Sequence, residues 1–468
     1  PFFIGVRLDG VRLAPGAVRQ LERLRIEFGD WQTSMRRWAS ACAAALGSRP
    51  TATPVAGYCS WYQHGHSVTA EHMHRAVTEF GETPVPPGGR LVQLDDGFQR
   101  MPGDWRPNER FADVFDRLPD RIRAAGSVPG LWLAPCLLHE RHAAVGNHPD
   151  RLQRLADGTP AASWGNWGWV AGDDYRFGKP DAERSYYMET DREDVRAFIR
   201  DIIADAVDRG WEYLKLDFTN RMATGRAPCD RGLTEFQSMR ALYRLFRETA
   251  GDQVMINACI GGPGRYALGY ADAARLAGDT GGNWESVRQN LQAVFMALQT
   301  NGAWWAVDPD VFYLRDERCN LTLEERFLLT GSIALMGGVL LTSDLPSQWP
   351  DAAKAALKHF WAADRPRTPH AQRVVYAADG TPLALCALGA DRERRVGIYN
   401  WSVSTRDHAL PLADVQLDGA AGDELELRQV LAPTTAAPTG AMALRGDTLL
   451  SHAQPAHSLR IAVLSQTG

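Results

Sequence analysis

Between residues 55 and 350 the chain alternates short apolar runs with longer amphipathic ones, and this alternation restricts the fold more than any other feature. The apolar runs are Ala56–Tyr62, Leu91–Asp95, Gly130–Ala134, Tyr213–Asp217, Val254–Asn257, Ala273–Ala277, Ala303–Val307 and Gly338–Thr342. Between them lie stretches with helical periodicity, such as Asp194–Arg209 and Leu233–Thr249. Strands separated by helices pair in parallel, because the crossover needs a dozen or more residues. Eight such units close into a (β/α)8 TIM barrel, an α/β fold. The barrel is expected over residues 51–365. Polar or aromatic residues stand at or just beyond most strand ends: Trp61, Asp95, Asp96, Asp217, Asn257, Cys259, Asp279 and Asp308. In this fold the site is built at those ends.

The flanks read differently. Phe2–Leu13 and Leu21–Phe28 have strand character, and Ser34–Leu46 is an Ala-rich helix candidate. Two strands cannot bury a core alone. Residues 1–50 are therefore expected to be remnant N-terminal strands, the end of an N-terminal β region, plus a connecting helix. After Pro366 the runs Val374–Ala377, Pro382–Leu388, Arg395–Trp401, Glu424–Leu431 and Ser458–Leu464 are short and divided by Gly, Pro, Asp and Thr. They predict a C-terminal all-β sandwich over 366–468. The longest apolar run, Leu328–Leu341, is broken by Thr330, Ser332, Gly337 and Gly338. It reads as a buried helix followed by a strand, too short for the ~20 residues of a membrane span.

Net charge is −5, without the basic surplus of a nucleic-acid binder. The seven Cys are irregularly spaced with no C-x-x-C pair, against a zinc site or a dense disulfide framework. Neither a metal nor an organic cofactor is expected, and no nucleic-acid or membrane partner; an oligomer is possible. No secretory leader is in view, which suggests a cytoplasmic protein; a first residue of Pro and not Met leaves a processed or incomplete product, with its leader removed, as the alternative.

Three segments carry chemistry. In Tyr213-Leu214-Lys215-Leu216-Asp217-Phe218, strand alternation turns Lys215 and Asp217 to one face. A cation and a carboxylate pointing into a barrel mouth cost desolvation unless pairing or function compensates. Lys is itself unusual here, occurring only at Lys179, Lys215, Lys354 and Lys358 among 51 basic residues. In Arg275-Leu276-Ala277-Gly278-Asp279-Thr280-Gly281-Gly282-Asn283-Trp284, Arg275 and Asp279 share a face and glycines leave room beyond it. An ordinary strand, turn and helix cap also fit that stretch. Asp95-Asp96 at a strand end suits either a metal or two sugar hydroxyls, although Asp-Gly is also a common turn. Fifteen Trp supply flat apolar faces of the kind a sugar cleft uses. His64, His66, His139 and His142 read as residues of solvated loops.

Together with Gly130-Leu131-Trp132-Leu133-Ala134-Pro135, these segments resemble the retaining α-galactosidases of glycoside hydrolase families 36 and 27. The resemblance implies Asp217 as nucleophile, Asp279 as acid/base, and Asp95 and Asp96 as acceptors of the sugar's 4- and 6-hydroxyls. It also implies Lys215 on ring hydroxyls, Arg275 and Cys259 near the 2-hydroxyl, and Trp61 and Trp132 as apolar wall. Cys259-Ile260-Gly261-Gly262-Pro263-Gly264-Arg265-Tyr266 is similar to the family 36 Cys-x-Gly-Gly loop, which brings in Gly262. Asp308-Pro309-Asp310 resembles the Asp-Pro-Asp of family 27 strand seven. There are departures. Thr219 stands where family 36 often has Asn, and the Glu of its Trp-Phe-Glu-Pro-Glu-Met segment is absent around Trp132–Leu138. The implied activity is an exo-acting retaining α-galactosidase on a carbohydrate substrate. The same chemistry on another sugar or acceptor is the alternative: an α-N-acetylgalactosaminidase, a β-L-arabinopyranosidase, an α-glucan-active enzyme or a raffinose-synthase-like transglycosylase. A non-catalytic carbohydrate-binding relative is the third reading.

Overall fold

The computed structural model describes residues 11–21, 25–49, 55–83, 90–155, 157–163, 184–219, 232–259, 264–351, 353–354, 372–389, 393–415, 425–431 and 440–466. Eight short strands form the barrel: β1 (Ala56–Cys59), β2 (Arg90–Leu94), β3 (Val128–Leu133), β4 (Tyr213–Leu216), β5 (Met255–Cys259), β6 (Ala273–Arg275), β7 (Ala306–Asp308) and β8 (Leu340–Thr342). Each of β1 to β6 pairs in parallel with the next strand, and β8 pairs with β1. The seam between β7 and β8 is bridged by Val339 N donating to Val307 O at 2.8 Å. Gly338 is required there, since a Cβ would sit 2.0 Å from Val307 O. Gly57 in β1 is required similarly, 1.9 Å from Leu91 O.

All eight predicted strands are present, with two corrections at their ends. The first stops at Cys59, and Trp61–His64 is a helical turn. The seventh starts at Ala306, not Ala303, because Gly302 N bonds Trp305 O in a turn. That turn places Trp304 and Trp305 in the core, where Trp304 Nε1 donates to Ala39 O at 2.7 Å.

The helices are α1 (Trp31–Leu46), α2 (Ala70–Glu82), α3 (Leu118–Ala124), α4 (Glu193–Asp208), α5 (Glu235–Ala250), α6 (Trp284–Ala297) and α7 (Leu323–Met336). Capping boxes start α5 (Thr234 with Gln237) and α7 (Thr322 with Glu325), and Asp30 starts α1 by accepting from Thr33 N. Helix α7, whose second half opens the longest apolar run, is buried on every face from Glu325 to Met336. A barrel helix normally shows one face to water. Here the outer face lies under the C-terminal strands, where Ser332 Oγ meets Tyr399 OH at 2.9 Å.

Those strands are β9 (Gln372–Tyr376), β10 (Pro382–Leu388), β11 (Arg394–Asn400), β12 (Arg406–Pro411), β13 (Leu425–Leu431), β14 (Met442–Arg445), β15 (Thr448–Gln454) and β16 (Ser458–Gln466). They make two antiparallel sheets, β9-β10-β11-β16-β13 and β12-β15-β14, around a separate apolar core that includes Val396, Ile398, Leu410 and Leu449. The sequence located the larger sheet and missed the smaller one. Its strands carry few buried apolar residues; in β12 only Leu410 is buried.

The N-terminal strand candidates are described only in part. The described parts of the two strand candidates, residues 11–13, 21 and 25–28, contain no strand; residues 1–10 and 22–24 lie outside the described residues. Among the described residues of these segments, Leu13, Leu21, Ile26 and Phe28 are exposed. Among the described residues, no helix is long and apolar enough to cross a membrane.

Candidate active site

Loops following the barrel strands bring the motif residues to one end of the cylinder. Strand alternation points Lys215 inward between Leu214 and Leu216, as its position in β4 predicts. Its Nζ lies 3.1 Å from Asp95 Oδ2, and both residues are buried. Burial alone would lower the Lys215 pKa, but the facing Asp95 outweighs it and holds the ammonium well above its usual range. Asp95 Oδ2 also accepts from Gln93 Nε2 at 2.5 Å, and its Oδ1 accepts from Asp96 N at 2.9 Å. Asp96 is likewise buried, with His66 Nε2 at 3.1 Å and Gln99 Nε2 at 2.8 Å. Burial raises the Asp96 pKa against the pull of those two partners.

Asp217 stands one residue beyond β4, and its N–H still bonds Leu133 O at 2.8 Å. Its carboxylate accepts from Trp132 Nε1 at 3.1 Å and from Phe218 N at 2.7 Å. Burial raises its pKa, opposed by Lys215 and by these donors. Phe218 has φ of 55°, a left-handed conformation that a bulky side chain rarely adopts and that clusters at functional sites.

Asp279 stands in the loop after β6 with a side chain 67% exposed. Arg275 Nη2 donates to its Oδ1 at 2.8 Å. Burial of its surroundings raises the Asp279 pKa, yet Arg275 and Lys215 outweigh that and hold the carboxyl below its usual range. Arg275 is buried, and its Nη1 also meets Asp310 Oδ1 at 3.1 Å. The loop is fastened from below: Ser286 Oγ donates to Asp279 O at 3.1 Å, and Asn283 caps α6 on Ser286 N.

Cys259 ends β5 and is half-buried; burial, then the Asp217 charge, push its thiol well above its usual pKa, so it is not a thiolate. Gly262 lies outside the described residues. Trp61 is half-buried and meets the His66 ring edge-on at 5.1 Å. Trp132 differs from expectation. It is only 2% exposed and gives its indole N–H to Asp217, so it braces that carboxylate from below rather than lining an open wall.

Hydrogen bonds and charge interactions thus link Asp95, Asp96, Lys215, Asp217, Cys259, Arg275 and Asp279 in a chain of contacts. Sequence reading missed two members. His66, taken as a solvated-loop residue, is bonded to Asp96. Tyr62, unflagged, hydrogen-bonds Asp310 through its hydroxyl. Neither carries a local signal, because each partner lies on another strand. His139 is also corrected: it is fully buried. Among the described residues no group of three or more His, Cys, Asp or Glu is placed to hold a metal ion.

No family model matches the chain. A bifunctional α-galactosidase/sucrose kinase of Mediterraneibacter gnavus is 22% identical over 205 residues, 41% of this chain. The match spans only 19% of that relative's length. Among solved structures, an α-galactosidase of Thermus thermophilus in complex with stachyose superposes with a TM-score of 0.58 at 28% identity, covering 69% of this chain and 68% of that one. A family 27 β-L-arabinopyranosidase of Geobacillus stearothermophilus gives a TM-score of 0.62 over 93% of this chain and 98% of that one, but at 14% identity that likeness concerns the fold alone. The barrel, the motif order around it and the Thermus likeness agree: the chain is similar in fold and motifs to the α-galactosidases of glycoside hydrolase families 27 and 36.

Proposed function

We propose that the protein is an exo-acting retaining glycoside hydrolase that cleaves terminal α-D-galactosides by double displacement. The observation that carries this reading is the convergence of Asp217 and Asp279. Lys215 pulls on both carboxyls, and the charges of both reach the Cys259 thiol. Two carboxyls flanking one space are what a retaining glycosidase uses, one on each side of the anomeric carbon. Asp217 attacks and forms the glycosyl ester, kept anionic by Lys215, Trp132 and Phe218 N–H. Asp279 protonates the departing oxygen and then takes a proton from the water that opens the ester. Asp279 is exposed beside Arg275, which favours its anion. A sugar covering it excludes water, and desolvation favours the neutral acid. The proton is therefore loaded on Asp279 as the cleft fills.

Asp95 has its Oδ2 occupied by Lys215 and Gln93. Asp96 has one partner on each oxygen, His66 and Gln99, and a carboxylate oxygen accepts more than one hydrogen bond, so Asp95 and Asp96 together are the acceptors for the axial 4-hydroxyl and the 6-hydroxyl. A panel of nitrophenyl glycosides tests the reading. α-Galactoside is expected to exceed α-glucoside in kcat/KM by about tenfold to a hundredfold, because a buried carboxylate left unpartnered costs roughly 1–3 kcal/mol. Asp96→Ala should shrink that preference and leave the glucoside rate little changed. Equal rates on the two sugars would overturn the galactoside reading in favour of an α-glucan-active enzyme. A preference for the arabinopyranoside, which lacks the hydroxymethyl arm, would move the assignment to that sugar. Absence of turnover on every sugar would leave a carbohydrate-binding relative.

Trp132→Phe tests the brace under Asp217. Losing the indole donor removes a hydrogen bond to the charged form and raises the Asp217 pKa. The acid limb of the kcat/KM profile should then move to higher pH by about one unit. An unmoved limb would show that the bond does not tune Asp217.

A further inference from the structure

Arg275 does not serve Asp279 alone. Its guanidinium lies between two carboxylates, with Nη2 2.8 Å from Asp279 Oδ1 and Nη1 3.1 Å from Asp310 Oδ1. Asp310 is buried, whereas Asp279 is largely exposed. The Tyr62 hydroxyl donates to Asp310 Oδ2 and lies near enough to Asp279 to act on it as well. Asp310 is further held by Thr280 N at 2.7 Å and by its own N–H on Asp308 Oδ1 at 2.8 Å. Tyr62 is anchored in turn, with its carbonyl accepting from Arg315 Nη2 at 2.9 Å and its N–H donating to Ser343 Oγ at 3.2 Å. The unit therefore joins the loops after β1, β6, β7 and β8 into one rigid group. Asp310 has φ of 78°, so the backbone is held in the left-handed region to aim this carboxylate at Arg275.

A lone Arg beside a general acid opposes the function of that acid, because an adjacent cation favours the carboxylate. A second carboxylate on the same guanidinium divides the charge. We propose that Asp310 and Tyr62 are positioning residues for the acid/base step. They hold Arg275 shared between two carboxylates, so that Asp279 is not pinned as a permanent anion and can carry the proton that leaves with the aglycone. This rests on the assignment of Asp279 made above. Asp310 itself titrates at about 6, raised by burial against the pull of Arg275, so at neutral pH it is anionic and takes its share of the guanidinium charge. The groups facing Asp279 are Arg275 from β6, Lys215 and Asp217 from β4, Tyr62 after β1, Asp310 after β7 and Cys259 on β5. Those facing Asp310 are Arg275, Asp279, Lys215, Asp308, Tyr62 and Tyr313.

The sign of the effect follows. Asp310→Asn removes an anion near Asp279 and leaves it the whole of the Arg275 charge. Both changes lower the Asp279 pKa, so its acid form is lost at lower pH and the alkaline limb of kcat, which reports the substrate complex, moves acidward. Asn suits the left-handed backbone at 310, so this variant tests charge with little change of shape. The experiment compares pH profiles of wild type, Asp310→Asn and Tyr62→Phe on an alkyl and a 2,4-dinitrophenyl glycoside of whichever sugar the wild type cleaves. The alkyl glycoside is expected to show its alkaline limb about one pH unit lower in Asp310→Asn, and about tenfold less turnover above that limb. The dinitrophenyl glycoside, which departs without a proton, should be little affected there. Tyr62→Phe removes a donor to Asp310, which leaves that carboxylate a stronger competitor for Arg275, and removes the same hydroxyl's pull on Asp279; both changes raise the Asp279 pKa, so its alkaline limb should move upward or stay, not downward. Equal losses on both substrates without a shift of the limb would make the unit merely structural and overturn the inference, as would an unchanged Asp310→Asn profile. If Asp310→Asn does not fold, a downward limb in Tyr62→Phe overturns the inference and an upward or unmoved one supports it. A wild type that cleaves no glycoside would overturn the proposed function itself, and this inference with it.

Discussion

Asp217→Gly is expected to lower turnover of an aryl α-galactoside by on the order of 10⁴-fold, since a covalent nucleophile carries most of the rate it makes possible. Added azide should then restore part of it. Azide fits the space left by the carboxylate, attacks the anomeric carbon as the bond to the aryloxide breaks, and gives the β-galactosyl azide, of inverted configuration. The fold should survive. Asp217 is half-buried and its pKa is raised by desolvation, so its removal relieves a desolvation cost, while Trp132 and Phe218 N–H each lose one acceptor. Thermal melting should therefore stay within a few degrees of wild type. More than a few per cent residual turnover without azide, in a folded variant, would remove Asp217 from the role of nucleophile.

Asp279→Asn should divide substrates by leaving group. An alkyl galactoside needs a proton on its departing oxygen and should lose about 10²- to 10⁴-fold. A 2,4-dinitrophenyl galactoside forms the glycosyl ester without that proton. For it, the ester should accumulate, because Asp279 no longer activates water, and a burst of dinitrophenolate should precede a slow steady state. Arg275 is left with Asp310 as its charged partner, so the loop should remain in place. Uniform losses across leaving groups, without a burst, would make Asp279 a structural partner of Arg275.

The two variants probe residues of unequal legibility. Lys215 and Asp217 were readable because alternation along a strand is a local property: two residues apart means the same face. The eight strands were readable for the same reason, and the errors fall where local pattern competes with packing. Ala303 to Trp305 looks like strand and is a turn, because the barrel base needs two buried indoles. The strands of the smaller sandwich sheet were missed for the opposite reason: they are paired although little of their apolar surface is buried.

By itself, then, the sequence determined the alternation of strands and helices, the barrel that this alternation implies, and the order in which Asp95, Lys215, Cys259, Arg275 and Asp279 arrive at strand ends. Each depends on neighbours within a few positions. The tertiary structure alone decided how those residues are used. Lys215 meets Asp95 across 120 positions, and Tyr62 meets Asp310 across 248. Trp132 turns its N–H to Asp217 because β3 and β4 pair in register. Such contacts arise from closing the cylinder, which places the last strand beside the first. The sign and size of each pKa shift arise from the same closure, since burial and opposite charge act through space and not along the chain.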